Sequence, residues 1–521
     1  MSQSTFVKST MILTIATLLS KVLGSIFRIP LQNIAGDEVL GIFSLVYPVY
    51  MVALILSVAG LPLAISKLIA EARTKGNSSS IREIYITASI LAVLFGLTSF
   101  LFIFSFSSEI ANMLGGPSTR LALVVVAGTL LVAPYMAVYR GFFQGYEDMR
   151  PTAISQVVEQ LIRVGLILLI AYYLVSNGYS DEIVAGGVMI GSVVGALASL
   201  LYLRVKYNRS SLRLNSKEKY SFKLFNKWSK TILKVSIPIA IGSITMALFN
   251  FVDSFTVSYG LKAAGVALGD VNYLYGIYGR GLSLVQIATV FATSIVLPLV
   301  PLITTKLASK DTAGTRAIIE KTHRMTHLIS WPAAFGLLAL TLPLNLALFT
   351  DLEGSSMLAI INFSSVFTSL ALLGTGILQG MNLARTGAFI IVGSVILKTF
   401  SNIYFIQLFG LDGAALSTLF VYIILVIVNT IVIAKHITFT IANTATFKMI
   451  FSSLIMGLVI GIPSLLLDVS SWSRLQAIGY LIIAIAAGAA IYFILLLTLK
   501  VLTKNDLKNL PVVGKFLNKK Q

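Results

Sequence analysis

Long apolar segments alternate with short polar loops along the whole chain of 521 residues. A helix of about 20 residues crosses the hydrocarbon core of a bilayer. Because lipid offers the backbone no hydrogen-bond partner, each segment is predicted to be helical. The pattern therefore predicts an all-α polytopic membrane protein with 14 transmembrane helices. The predicted spans are 9–33, 40–66, 84–106, 121–139, 152–175, 183–203, 233–259, 271–304, 326–349, 356–380, 387–407, 413–434, 447–467 and 476–499.

The composition agrees with a membrane protein, since 57% of the residues are hydrophobic and only 11% are charged. Soluble domains have about 25% charged residues. The sequence contains no cysteine, which excludes disulfides, thiol chemistry and cysteine-ligated zinc. Its three histidines, His323, His327 and His436, fall in or beside predicted loops, so no metal site is predicted.

The formal charge of +19 could indicate nucleic-acid binding, but the placement of the charges indicates membrane topology instead. Only three basic residues, Arg120, Lys262 and Arg474, fall in odd-numbered loops, whereas 10 of the 20 acidic residues do. By the positive-inside rule, both termini are predicted to be cytoplasmic. The lysine-rich tail, 501–521, is predicted to lie on anionic inner-leaflet lipids.

An internal repeat relates the first six spans to the next six. The stretch Arg140–Arg150 resembles Thr375–Arg385, and Leu61-Pro-Leu resembles Leu297-Pro-Leu. Two six-helix halves of this kind are parallel repeats, and transport sites in such proteins lie between the halves. The predicted domains are an N-lobe (1–203), a basic cytoplasmic linker (204–232), a C-lobe (233–437), two further helices (438–500) and the basic tail (501–521).

Three cations inside predicted spans, Lys21, Arg28 and Arg280, have no acidic residue in their own span. Each would cost about 2.5–3.5 kcal/mol at mid-membrane, so unpaired ones indicate function. We predict that all three line a cavity that receives an anion. The planar fork of arginine suits a diphosphate, because it bonds two phosphate oxygens at once.

The other intramembrane ionisable residues are predicted to form ion pairs that couple the lobes or stabilise one of them. Glu159 and Arg163 are four residues apart on one helix, the spacing of a helical ion pair. Asp253 on the seventh span and Lys398 on the eleventh, with Asn402 beside it, could pair as a fixed strut or as a conformational switch. The sequence leaves both roles open.

Catalytic motifs do not occur in the sequence. It has no Gly-x-x-x-x-Gly-Lys-Ser/Thr phosphate loop and no evident nucleophile–base arrangement. The protein is therefore predicted not to be an enzyme, and to need no cofactor and no metal.

Several motifs resemble a known family. These are Lys21-Val-Leu-Gly, the stretch Gly60-Leu-Pro-Leu-Ala-Ile-Ser-Lys67, and above all Arg140-Gly-Phe-Phe-Gln-Gly-Tyr-Glu-Asp-Met-Arg-Pro-Thr-Ala153. They are similar to the polysaccharide-biosynthesis branch of the MOP flippase superfamily. Within it, the chain resembles the stage V sporulation protein B/YtgP group, which is related to the MurJ lipid II flippases.

The resemblance implies a V-shaped pair of six-helix lobes that work by alternating access in a bacterial plasma membrane. It implies a polyprenyl-diphosphate-linked saccharide as substrate, with lipid II as the leading candidate, and cell-wall synthesis proteins as partners. By position, Lys21 and Arg280 match cavity cations of the MurJ group, and Arg28 lies within a residue of a third. The last two helices would form a groove for the lipid tail.

The chain also departs from the MurJ pattern. It is apolar around Val52, where that group has an arginine, and has Ser283 where that group has an acid. Some members bind sodium near the position of Asp253, but here the eleventh helix carries Lys398 and Asn402. An ammonium group there would take the place of the cation, so no sodium site is predicted.

Three alternatives remain from the sequence. One is a flippase for another lipid-linked glycan, such as a teichuronic, capsular or spore-cortex precursor. Another is a MATE-like multidrug antiporter, which should carry acidic rather than basic residues at its centre. The third is a membrane scaffold without transport, for which unpaired interior cations would have no use.

Overall fold

The computed structural model describes residues 3–58, 60–214, 220–440 and 442–502, which form α-helices joined by short connections. The basic tail, whose contact with lipid was predicted, falls almost wholly outside these residues. The helices are α1 Gln3–Ile26, α2 Arg28–Val58, α3 Leu61–Thr74, α4 Ser78–Ser105, α5 Ser107–Met113, α6 Arg120–Ala127, α7 Ala133–Gly145, α8 Arg150–Ser176, α9 Asp181–Asn208, α10 Phe222–Ser243, α11 Thr245–Ala263, α12 Leu268–Ala308, α13 Thr312–Ala339, α14 Thr341–Phe349, α15 Ser355–Gly380, α16 Ala384–Ala434, α17 Thr444–Leu466 and α18 Arg474–Thr498.

Within the described ranges, ten helical segments are long and apolar enough to cross a membrane, or eleven if the bent pair α13 and α14 is one span. The segments Ile12–Thr74, with 63 residues, and Ala384–Ala434, with 51, far exceed one crossing of about 20 residues. The protein is thus a multi-pass, all-helical membrane protein, and the count of 14 spans remains a prediction.

Both of these long segments are broken by a glycine in the left-handed backbone region. Gly36 has φ 80° inside α2, and Gly410 has φ 56° inside α16. Residues with a Cβ rarely adopt these angles, so glycine permits the break. Both positions fall in the short loops predicted between consecutive spans.

Side-chain caps mark several helix starts. Asn443 and Ser473 each form a capping box at the start of α17 and α18, which satisfies amide groups that have no partner within the helix. Asp311 caps α13, accepting hydrogen bonds from Lys306 Nζ and the amide of Gly314, each at 2.7 Å. These two donors hold the pKa of the Asp311 carboxyl below its usual value.

The chain forms two compact units. The first contains Met1–Ser283 with Ile391–Ala414, and the second contains Leu284–Ile390 with Ala415–Gln521. The first unit therefore holds the helices of the predicted N-lobe together with α10, α11 and the beginning of α12. The second holds the rest of α12, α13 to α15, most of α16 and the two C-terminal helices.

The sequence repeat corresponds to a repeated helix contact, one within each unit. In the first unit, Gly145 of α7 packs on α3, where a Cβ at the glycine would lie 2.7 Å from Ile69 Cβ. In the second unit, Gly380 of α15 packs on α12, where a Cβ would lie 2.9 Å from Ile303 Cβ. Small residues let membrane helices approach closely, so both halves of the repeat use the same packing device.

Candidate functional site

Arg28, the first residue of α2, is buried in the first unit, with 8% of its surface exposed. Its guanidinium carbon lies 5.7 Å from the ring centroid of Phe43 and 5.8 Å from that of Tyr47. Among the described residues, Arg28 has no hydrogen bond and no ion pair, and its Nε is buried without a partner. A buried cation held only by aromatic rings is available for an anion.

Arg163 of α8 lies against the same tyrosine. Its Nη2 donates to Tyr47 Oη at 2.7 Å, and its guanidinium carbon lies 5.2 Å from the ring centroid. The predicted ion pair with Glu159 is not the one that forms. Glu159 instead accepts from Arg140 Nη2 of α7 at 2.7 Å.

The neighbours of Arg140 explain this choice of partner. Its Nε donates to Ser155 at 3.0 Å, and its Nη2 also donates to Ser199 at 3.1 Å. These hydroxyls hold the guanidinium beside Glu159, so Arg163 is left without a carboxylate among the described residues.

Arg280 of α12 is fully buried and paired with Asp37, which follows the break in α2. Arg280 Nε donates to Asp37 Oδ1 at 2.7 Å, and Nη2 donates to Oδ2. Gln32 Nε2 donates to the same carboxylate at 3.0 Å. Arg280 is therefore a paired cation in this structure.

The pairing of Arg280 depends on a contact between the backbones of α2 and α12. A Cβ at Gly41 would overlap the carbonyl oxygen of Asn272, and a Cβ at Gly276 would overlap that of Asp37. Only glycine fits at such an approach. Because Gly41 and Gly276 have no side chain, the two helices approach closely enough for Arg280 to reach Asp37.

Lys21 of α1 is exposed, and no described residue pairs with its ammonium group. The three predicted anion ligands thus differ in environment: Lys21 is exposed, Arg28 is buried and unpaired, and Arg280 is buried and paired. No hydrogen bond or ion pair recorded among the described residues links any two of them.

Asp253 of α11 and Lys398 of α16 form a buried ion pair within the first unit. Lys398 Nζ lies 3.1 Å from Asp253 Oδ1. Asn402 Nδ2 donates to the same oxygen at 2.7 Å, and Tyr278 Oη donates to Oδ2 at 3.0 Å. The ammonium and two neutral donors thus surround the carboxylate.

The second unit contains an apolar groove of about 420 Å³ among α12, α13, α17 and α18. Its walls include Leu284, Pro332, Ile460 and Tyr492, and the glycines at 336 and 488 also line it. Long apolar clefts of this kind accept hydrocarbon groups.

Sequence reasoning missed two residues at these sites. Asp37 falls in the loop predicted between the spans 9–33 and 40–66, and it lies 243 residues from Arg280, beyond any local pattern. Tyr47 carries no charge. The only sign of its role in the sequence is that it follows the aromatic residue Phe43 by four positions, a spacing that is also common in ordinary membrane helices.

These helices define a multi-pass, all-helical membrane protein. The fold matches the structure titled "Lipid II flippase MurJ, inward closed conformation" with a TM-score of 0.66 at 17% identity, over 93% of this chain and 98% of that one. It also matches an inward-facing multidrug resistance MATE family transporter with a TM-score of 0.65 at 15% identity, over 80% and 95%.

The chain belongs to the polysaccharide biosynthesis protein family, which it matches over residues 6–306. It is 27% identical to stage V sporulation protein B of Bacillus subtilis, over 99% of this chain and all of that one. It is also 27% identical to the lipid II flippase MurJ of the same organism, over 94% of each chain. These relatives are named as a sporulation protein and a flippase and not as enzymes, in agreement with the prediction that this chain is not an enzyme.

Proposed function

We propose that this protein is a flippase that moves a polyprenyl-diphosphate-linked saccharide, with lipid II as the first candidate, from the inner to the outer leaflet. The proposal includes 14 spans in a bacterial plasma membrane, with both termini cytoplasmic. The observation that carries it is Arg28, a buried guanidinium with no counter-charge among the described residues. Its environment suits an anionic headgroup, the chemistry that a lipid-linked sugar presents.

In this mechanism the diphosphate binds Arg28, with Lys21 at the exposed side. Arg280 joins the site only after it exchanges Asp37 for the phosphate, because its guanidinium already has a carboxylate partner. Substrate and Asp37 would thus compete for one cation. A ligand with different affinities for two conformations shifts the balance between them, which is the requirement for alternating access.

The membrane potential can supply the driving force. Export of an anion from an inside-negative cell is favoured by about 2.3 kcal/mol per charge at 100 mV. The Asp253–Lys398 pair supports this mechanism, because the ammonium group occupies the carboxylate that a sodium ion would need.

The apolar groove of the second unit is proposed to hold the polyprenyl chain. Replacing Gly336 with phenylalanine should fill it, since a Cβ there has only Met456 Cε nearby, at 3.8 Å. We expect transport of a long-chain polyprenyl substrate to fall at least tenfold, with a smaller effect on a short-chain analogue. Gly393→Phe is the control, because Gly393 lies on α16 with open space around it. Equal transport of both chain lengths by the Gly336 variant would refute the assignment.

The proposed function is tested by complementation of a strain depleted of its own lipid II flippase. The wild-type chain should restore growth and lipid II translocation. Arg28→Ala, Lys21→Ala and Arg280→Ala should fail to do so at equal expression. Lys67→Ala is the control, because Lys67 is an exposed cation paired only loosely with Glu71 at 4.0 Å.

The outcomes separate the candidates. Failure of the correctly inserted wild-type chain would favour a flippase for a different lipid-linked glycan. Normal lipid II translocation by all three cation variants would refute the role assigned to these residues.

The main rival is a multidrug antiporter, given the likeness of the fold to a MATE transporter. Such a carrier needs available carboxylates for cationic drugs. In this structure Asp37, Glu159 and Asp253 are each paired with a cation. Among the described residues, the intramembrane charges without a charged partner are the cations Lys21, Arg28 and Arg163, which favours an anionic substrate.

A further inference from the structure

Among the buried and half-buried cations in the helices of the first unit, Arg28 and Arg163 differ from three others. Arg140, Arg280 and Lys398 each have a carboxylate partner. Arg28 and Arg163 have none among the described residues, although both lie against the ring of Tyr47. Two like charges held this close repel each other in a medium of low dielectric constant. A bound anion would relieve this repulsion.

Unused hydrogen-bond donors lie on both α2 and α8. The Nε atoms of Arg28 and Arg163 are buried without a partner among the described residues, as is the side-chain amide nitrogen of Gln160. Arg28 and Gln160 are each 8% exposed. Gln160 and Arg163 are three residues apart on α8 and so lie on one face of that helix. Buried donors without acceptors are costly, and an anion rich in oxygen atoms offers the acceptors that they lack.

Tyr47 can act as a further donor. Its hydroxyl oxygen already accepts from Arg163 Nη2 at 2.7 Å, which leaves the O–H hydrogen free to donate. Its ring centroid lies 5.8 Å from the guanidinium carbon of Arg28 and 5.2 Å from that of Arg163, within the range of a cation–π contact. With Arg28 it supplies donors on α2, opposite those on α8.

We propose that Arg28, Tyr47 and Arg163 form a diphosphate-binding site between α2 and α8, with Gln160 as an additional donor. Arg163 is thereby a binding residue and not a structural ion-pair partner of Glu159. This inference rests on the proposed function, because it locates the site where the headgroup of the proposed substrate binds. The ligand of this site is a diphosphate group, either attached to a polyprenyl lipid or free.

Binding is measured with the purified full-length protein in lipid nanodiscs, using farnesyl diphosphate and inorganic diphosphate as separate probes. Arg163→Gln should weaken binding of the preferred probe at least tenfold, since it removes charge-assisted hydrogen bonds. Arg163→Lys should bind with intermediate affinity, because lysine keeps the positive charge but lacks the planar guanidinium that bonds two phosphate oxygens at once. Tyr47→Phe should show a smaller loss.

The melting temperature without ligand separates binding from a structural role. Arg163→Gln should leave it unchanged or raise it, because the repulsion with Arg28 is relieved. Arg140→Gln is the matched structural variant on α7. It should lower the melting temperature, because it leaves Glu159 without its cation.

The outcomes distinguish the two proposals. If the wild type binds farnesyl diphosphate and Arg163→Gln binds it equally well, the site is refuted while the proposed function stands. If the wild type binds neither probe, both fail. Binding of inorganic diphosphate as tight as that of the farnesyl compound, and lost in Arg163→Gln, would support the site and assign it to free diphosphate.

Discussion

Replacing Asp37 with alanine should strongly destabilise the conformation described here. The substitution leaves the fully buried guanidinium of Arg280 without its carboxylate. Removing one partner of a buried ion pair typically costs about 3–5 kcal/mol. We therefore expect α2 and α12 to separate in most molecules, and the melting temperature to fall.

The separation can be measured by thiol labelling, because the chain has no cysteine of its own. Ser44 is buried at the contact between α2 and α12, beside Gly279. A Ser44→Cys reporter should be protected in the parent protein and should react at least tenfold faster when Asp37 is alanine.

Two further variants test the physical reason. The double change Asp37→Ala with Arg280→Met should regain much of the lost stability, because replacing both partners of a buried pair by apolar groups is often close to neutral. Glu71→Ala removes one partner of an exposed pair and should have little effect. Unchanged labelling and stability in Asp37→Ala would show that the ion pair does not hold the contact.

Replacing Gly276 with valine should prevent the same contact by steric overlap alone. A Cβ at this position would overlap the carbonyl oxygen of Asp37, a backbone atom that cannot rotate away. We expect the Ser44→Cys reporter to become reactive and substrate transport to be lost, since the protein can no longer reach this conformation. All charges remain in place in this variant, so the result separates steric from electrostatic effects.

Gly269→Val is the matched control for this experiment. Gly269 lies in the first turn of the same helix, α12, and a Cβ there would meet nothing within 4 Å. It should therefore retain transport and reporter protection. Transport at the wild-type rate by Gly276→Val would mean that the close approach of α2 and α12 is dispensable for the cycle.

The membrane-spanning architecture could be predicted from the sequence because it depends on local properties. Apolar length determines a helix in lipid, and glycines at 36 and 410 break two long segments where short loops were predicted. The repeat was also detectable, since the glycines at 145 and 380 keep the same packing role in both halves.

The partners of the buried charges could not be predicted in the same way. The spacing of Glu159 and Arg163 indicated a pair on one helix, but the neighbouring helix α7 offers Arg140 together with two hydroxyl partners. Likewise, the carboxylate of Arg280 lies 243 residues away, across a contact that depends on backbone shape. Tertiary packing decides which charges meet, and a single sequence does not contain that geometry.

The contact between α2 and α12 is made by the absence of side chains at Gly41 and Gly276 rather than by their chemistry. It therefore constrains two positions and leaves the residues around them free to diverge. Two positions without a side chain are therefore enough to set how closely these two helices approach.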